Sequence, residues 1–314
     1  ITRLTQSGLS MVEWAPIMGV IPPIGDAALN RVFELYRLSP EYLKVNAGMS
    51  LDEFKFIFWW EYGHRVLGRF IGLIYFLPLL FFYFKGWIPR GWHLKLLLLF
   101  VLGGMQGLMG WYMVQSGLVD IPQVSQYRLT AHLGLAFIIY TLLFWFALDF
   151  LRGERPHRQA SPAYLKTTAI ALLLVFLMVL TGGFVAGTKA GHIMNTYPLM
   201  AGTLIPDGVL AMQPLWRNFF ENAITIQFVH RWFAVVVALA IIACFYVART
   251  QRFTTYTFWM LIALVLQFTL GVAALLWKVP LALGALHQAC AVLLLSSLIM
   301  VVHVARKENQ STTI

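Results

Sequence analysis

Apolar residues run along this chain in seven uninterrupted stretches, at about residues 60–84, 94–114, 129–151, 164–185, 224–248, 254–277 and 282–304. Each is long enough to cross the ~30 Å apolar slab of a bilayer as a helix, which takes about 20 residues. None alternates strictly between apolar and polar, so a β-barrel is not predicted. Between the stretches the polar positions are uneven. The links after the first, third and fifth stretches are short and basic, with Lys85, Arg90, Arg152, Arg155, Arg158, Arg249 and Arg252, and Arg306 and Lys307 follow the last. Basic residues in short links mark the inner side. The longer segments 1–58, about 115–128 and about 186–223 then lie outside. Within the first of these, Asn30 to Arg37 has the spacing of a short amphipathic helix. Ser50-Leu-Asp-Glu53 is a capping box, so a helix starting there runs without a break into the first stretch. Trp59 and Trp60 sit where an aromatic belt would anchor it.

Composition agrees with this pattern. Of 314 residues 60% are hydrophobic and 11% charged, against about 25% charged in an ordinary soluble domain. The mean hydropathy is +0.74. A soluble globular domain, a disordered chain and a disulfide-rich secreted module are excluded. The net charge of +10 reports topology in such a protein and implies no nucleic-acid partner. Cys244 and Cys290 lie inside apolar runs and read as small core residues.

The histidines change the picture. His93, His157 and His303 lie in or beside the inner links and His192 in an outer loop, where solvated or interfacial imidazoles are ordinary. His64, His132, His230 and His287 instead lie inside spans, each a few residues past the outer start of a span running inwards, hence at similar depth. Polar groups at membrane depth are costly and usually functional. Their surroundings repeat: Glu61-Tyr-Gly-His64-Arg65 resembles Gln227-Phe-Val-His230-Arg231, Leu129-Thr-Ala-His132 resembles Gly284-Ala-Leu-His287, and Gln106-Gly-Leu-Met-Gly110 resembles Gln267-Phe-Thr-Leu-Gly271. The separations of 166, 155 and 161 residues indicate an internal duplication. The predicted halves are residues 1–152, which include the outer segment 1–58, and residues 153–314, each with two histidines on parallel helices.

Paired imidazoles inside a helical bundle suit the iron of a haem; zinc fits less well, since no further ligands lie at that depth. Arg65 and Arg231 are placed to reach a haem propionate. Glu61 shares a helix face with His64, and the second half has Gln227 in its place. One half thus carries an acid and is expected to do chemistry; the other is expected to hold a permanent cofactor. The pairs Gly68 and Gly72, Gly103 and Gly107, and Gly183 and Gly187 have the spacing of close helix packing. Two other classes account for parts of the pattern. A di-haem b-type electron-transfer protein, of the quinol or ferric reductase kind, explains the histidine pairs but not the Glu61/Gln227 asymmetry. A repeat-built transporter needs polar residues at the span centres, which are almost purely apolar.

The chain resembles the haem A synthase family. The matching residues are Thr2-Arg-Leu-Thr-Gln-Ser-Gly-Leu-Ser10 with Glu13-Trp14, Pro40-Glu-Tyr42, Met49, Glu53-Phe-Lys55, Glu61 to Arg69, Leu129-Thr-Ala-His132-Leu133, Gly182-Gly-Phe-Val-Ala-Gly187, His230-Arg231 and Leu283 to Gln288. The resemblance implies an all-α polytopic membrane protein of two pseudo-symmetric four-helix bundles. Seven of the eight helices are visible here, and the family's first helix is expected ahead of Ile1. The absence of outer-loop cysteine pairs places the chain with the subgroup typical of proteobacteria and mitochondria. The resemblance further implies haem b bound by His230 and His287, haem O or its product haem A held by His64 and His132, and Glu61 as the catalytic acid. The implied reaction is oxidation of the C8 methyl of haem O to a formyl group by successive hydroxylations, with water as oxygen source. The implied setting is the bacterial cell membrane or mitochondrial inner membrane, with haem sites near the outer face. Haem O synthase and cytochrome oxidase assembly factors are the implied partners, and the outer segments offer area for a homo-oligomer.

Overall fold

In the computed structural model, residues 2–13, 15, 18–118, 122–152, 160–249 and 254–310 are described, with backbone alone for Arg152, Thr254 and residues 307–310. Trp14, Arg155, His157, Arg158 and Arg252 lie outside the described residues. The described residues form ten α-helices: α1 Asp26–Arg37, α2 Pro40–Lys44, α3 Leu51–Phe84, α4 His93–Gln115, α5 Gln126–Arg152, α6 Pro162–Gly187, α7 Asn218–Glu221, α8 Ala223–Arg249, α9 Thr254–Leu276 and α10 Leu281–Gln310. Seven of them, α3 to α6 and α8 to α10, are long and apolar enough to cross a membrane, and match the seven apolar stretches. The protein is a multi-pass, all-helical membrane protein.

The capping box forms as its residues dictate. Ser50 Oγ accepts from the Glu53 amide at 3.3 Å, and Glu53 Oε2 accepts from the Ser50 amide at 2.8 Å. Two free amides of the first turn are thereby satisfied. The helix so started, α3, has 34 residues and is ~51 Å long. That exceeds the apolar slab by several turns, so part of α3 projects beyond it.

The chain divides into two compact units, Ile1–Leu135 and Ala136–Ile314. The division falls inside α5, ahead of the inner link after residue 152.

In the first unit, α1 lies over the projecting start of α3. Leu29, Phe33 and Tyr36 bury against Phe54, Ile57 and Phe58. The Phe33 and Phe54 rings stack at 4.8 Å, an arrangement worth a little beyond its buried area. Tyr36, wholly buried, donates to Glu41 Oε2 at 3.0 Å and accepts from Asn46 Nδ2 at 2.7 Å. Burial pushes its phenol above the ordinary range, because the phenolate would lose its hydration.

In the second unit, α6 packs on α8, α8 on α9, α9 on α10 and α10 back on α6, which closes a four-helix bundle. Buried Ala171, Val175, Val179, Gly183 and Gly187 recur every four residues along α6, and such small residues let backbones approach where lipid offers no hydrophobic driving force. The inner half of α5 belongs to this unit. Tyr140 Oη lies 2.6 Å from Ser296 Oγ, and Asp149 Oδ1 lies 2.8 Å from His303 Nε2. His303, expected to be solvated beside an inner link, is wholly buried, with Trp145 edge-on at 4.9 Å. Its acidic partner lies 154 residues away in sequence.

Candidate functional site

On α3, Glu61, His64 and Arg65 share one face, because residues three and four apart on a helix are neighbours. Glu61 is buried, and both of its oxygens are occupied. Oε2 accepts from Ser10 Oγ at 2.7 Å and from the Met11 amide at 2.8 Å. Oε1 accepts from Arg65 Nε at 3.0 Å and from Arg65 Nη2. A buried carboxylate needs this degree of compensation, and bonds from charged or backbone donors are the strong kind. Arg65 also donates to the carbonyl oxygens of Met11 at 2.8 Å and Glu13 at 3.1 Å. One turn further on, Arg69 donates to the Ala15 carbonyl at 2.9 Å. The face of α3 thereby fastens the backbone at Met11, Glu13 and Ala15.

His132, on α5, lies within electrostatic reach of His64. Gln106 Nε2, on α4, donates to the His132 carbonyl at 3.1 Å and stands 3.3 Å from its ring Nε2. His64 is exposed, and its side chain has no hydrogen bond among the described residues.

The second unit repeats much of this layout. Gln227, His230 and Arg231 share a face of α8, and His230 lies within electrostatic reach of His287 on α10. Arg231 donates to the carbonyls of Met194 and, at 2.7 Å, Thr196. Met11 and Glu13, like Met194 and Thr196, are two residues apart, so the duplication extends into outer segments whose sequences show no likeness. Gln227 Nε2 donates to the Met194 carbonyl at 3.0 Å, whereas Glu61 accepts from the Met11 amide. The backbone presents a carbonyl to the amide side chain and an N–H to the carboxylate. His230 Nδ1 lies 2.8 Å from Thr181 Oγ1, and His287 Nε2 lies 3.4 Å from Gln267 Nε2.

Residues 1–299 match the model of a family described as cytochrome oxidase assembly protein. The chain belongs to this family. Among its relatives, the haem A synthase of Nitrosospira multiformis is 49% identical over 314 residues, covering 98% of this chain and 88% of its own length. That of Parvibaculum lavamentivorans is 48% identical over 303 residues, covering 96% and 88%. That of Bradyrhizobium diazoefficiens is 44% identical over 305 residues, covering 95% and 84%.

Of the four sequence-predicted histidines, His64 and His132 lie in the first unit and His230 and His287 in the second. The arginines, expected on propionates, hold outer-segment carbonyls, and Arg65 in addition holds Glu61. The Nε–H of Arg231 is buried without an acceptor among the described residues. Sequence reasoning missed Ser10, the Met11 amide and Thr181. Ser10 lay in a quoted motif and Thr181 directly precedes the Gly182 run, but nothing in either stretch says which side chain it meets.

Proposed function

We propose that this protein is a haem A synthase, an oxidoreductase converting haem O to haem A, with a haem O site in the first unit and a haem b site in the second. The observation that carries the reading is the exchange of Glu61 for Gln227 at corresponding positions of the two units. The donor set fits a haem. Among the described residues no three His, Cys, Asp or Glu side chains gather as a metal site, so a bare ion would lack protein ligands. A porphyrin brings four nitrogens of its own, so a pair of imidazoles would suffice to hold it. His64 with His132, and His230 with His287, would supply them.

The difference in restraint supports the assignment of roles. In the second unit both imidazoles are restrained, by Thr181 and by Gln267, as suits a resident cofactor. In the first, His132 is held and His64 is not, as suits a substrate that enters and leaves. Arg231, through its open Nε–H, is the arginine for a haem b propionate. Arg65 is committed to Glu61 and the outer segment.

The overall change is methyl plus water to formyl plus four protons and four electrons, through two hydroxylations and loss of one water. When bound, haem b supplies a one-electron relay towards an external acceptor. Oxidation of the methyl develops positive charge on its carbon. Glu61, fixed as an anion by four donors before substrate arrives, opposes that charge without reorganising. To take a proton from attacking water it must first release one of those donors, and Ser10 is the neutral side chain among them. Glu61 and His64 lie in the first half of α3, the end that the basic links put on the outer side, which supports a site near the outer face of a bacterial or mitochondrial inner membrane; haem O synthase and cytochrome oxidase assembly factors are the partners that the reading implies.

Purified protein supplied with haem O and an electron acceptor should yield haem A, identified by mass and by the reduced pyridine adduct. Haem O recovered unchanged from protein with both sites filled would refute the assignment.

A further inference from the structure

We infer that Gln106 with Gly110 on α4, and Gln267 with Gly271 on α9, each form a cradle that fixes the ring position and tautomer of one histidine, His132 and His287 respectively. The inference rests on the proposed reading of those imidazoles as haem ligands.

Each glutamine and its glycine are four residues apart, so they lie one above the other on one helix face. The ring packs against the bare backbone of the glycine. A Cβ added at Gly271 would stand 2.9 Å from His287 Cε1, and one at Gly110 would stand 3.2 Å from His132 Cε1. The first is closer than real carbon pairs come, and the second is tight enough that the ring must give by a few tenths of an ångström. Gly182 touches His230 only at 3.5 Å, an ordinary contact. A Cβ therefore displaces the ring at position 271, crowds it at 110 and is accommodated at 182.

The glutamine acts on the other side of the ring. For Gln106 the His132 carbonyl, an acceptor only, identifies the amide nitrogen as the end facing the ring. That N–H, 3.3 Å from Nε2, requires a lone pair on Nε2 and so places the proton on Nδ1. Gln267 stands at the same atom of His287 at 3.4 Å. A lone pair kept on Nε2 would leave that nitrogen able to hold an iron. The amide contact is long and weak, so it orients the ring and yields to a metal. The same pair of residue types meets the same two ring atoms in both units. Gln106, Gly110, Gln267 and Gly271 are positioning residues in this account.

The test uses full-length protein in detergent, with haem B per protein and the low-spin electron paramagnetic resonance (EPR) signal as readouts. Gly271→Ala should retain haem B at least ~10-fold more weakly, the usual loss for a disturbed ligand support. Gly182→Ala should stay within about twofold of wild type on the same scale. Gln267→Leu adds no clash and should keep the fold while shifting the low-spin signal and the midpoint potential. Folding is controlled by a double-mutant cycle: any thermal destabilisation by Gly271→Ala should vanish beside His287→Ala, where no ring is left to meet. Equal haem retention with unchanged EPR signals in Gly271→Ala and Gly182→Ala would overturn the cradle, as would a thermal cost that persists without the ring. Full haem B retention by His287→Ala would refute the ligand reading itself, and the cradle with it.

Discussion

Glu61→Gln should abolish haem A formation, by ~10²-fold or more, while haem content stays close to wild type. The side chain keeps its size, but its chemistry reverses at one atom. Its oxygen can still accept from Arg65. Its new NH2 group then faces the Met11 amide, which approaches Oε2 at 2.8 Å, so one donor meets another. Gln227 avoids this conflict because a Met194 carbonyl stands opposite it at 3.0 Å. The variant thus loses the fixed negative charge and loosens residues 10–13 over the site. The measurement is haem A yield against total haem in matched preparations. Wild-type haem A yield from Glu61→Gln would remove Glu61 from the chemistry.

Arg65→Leu should destabilise the protein far more than Arg231→Leu. The Arg65 and Glu61 side chains are 11% and 3% exposed, and breaking such a pair strands a buried charge, at a cost of about 3–5 kcal/mol. Arg231→Leu strands only carbonyl oxygens, for roughly 1–3 kcal/mol. Adding Glu61→Gln to Arg65→Leu should recover part of the loss, because the stranded charge is then gone, whereas Gln227→Leu should recover nothing in Arg231→Leu. Thermal unfolding in detergent gives the comparison. Equal losses for the two arginines would mean that Arg65 serves the outer segment alone and that its bond to Glu61 contributes nothing to stability.

The membrane helices were legible because a single property, apolar length, decides them. The start of α3 at Leu51 was legible because Ser50 and Glu53 satisfy amides locally. The histidine pairs and the Glu61/Gln227 difference were legible through the duplication. The fastening of residues 10–15 over Glu61 was not, since its acceptors are backbone carbonyls, which every residue has and no sequence marks. The Asp149–His303 contact was hidden for another reason. Each residue alone looks like an interfacial polar group, and only packing of α5 on α10 buries them together. The assignment of the inner half of α5 to the second unit also depends on such contacts, Tyr140 with Ser296 among them, and the basic link after residue 152 drew the expected boundary elsewhere. The partners of Arg65 and Arg231 required knowing where the outer segments fold back.

The central claim, that one unit holds the substrate and the other the cofactor, is tested most directly by extracting and identifying the haem retained by ligand variants. Protein with His230→Ala and His287→Ala should lose haem B and keep haem O or A. Protein with His64→Ala and His132→Ala should keep haem B and lose haem O and A. The reverse pattern, or loss of the same haem from both, would contradict it.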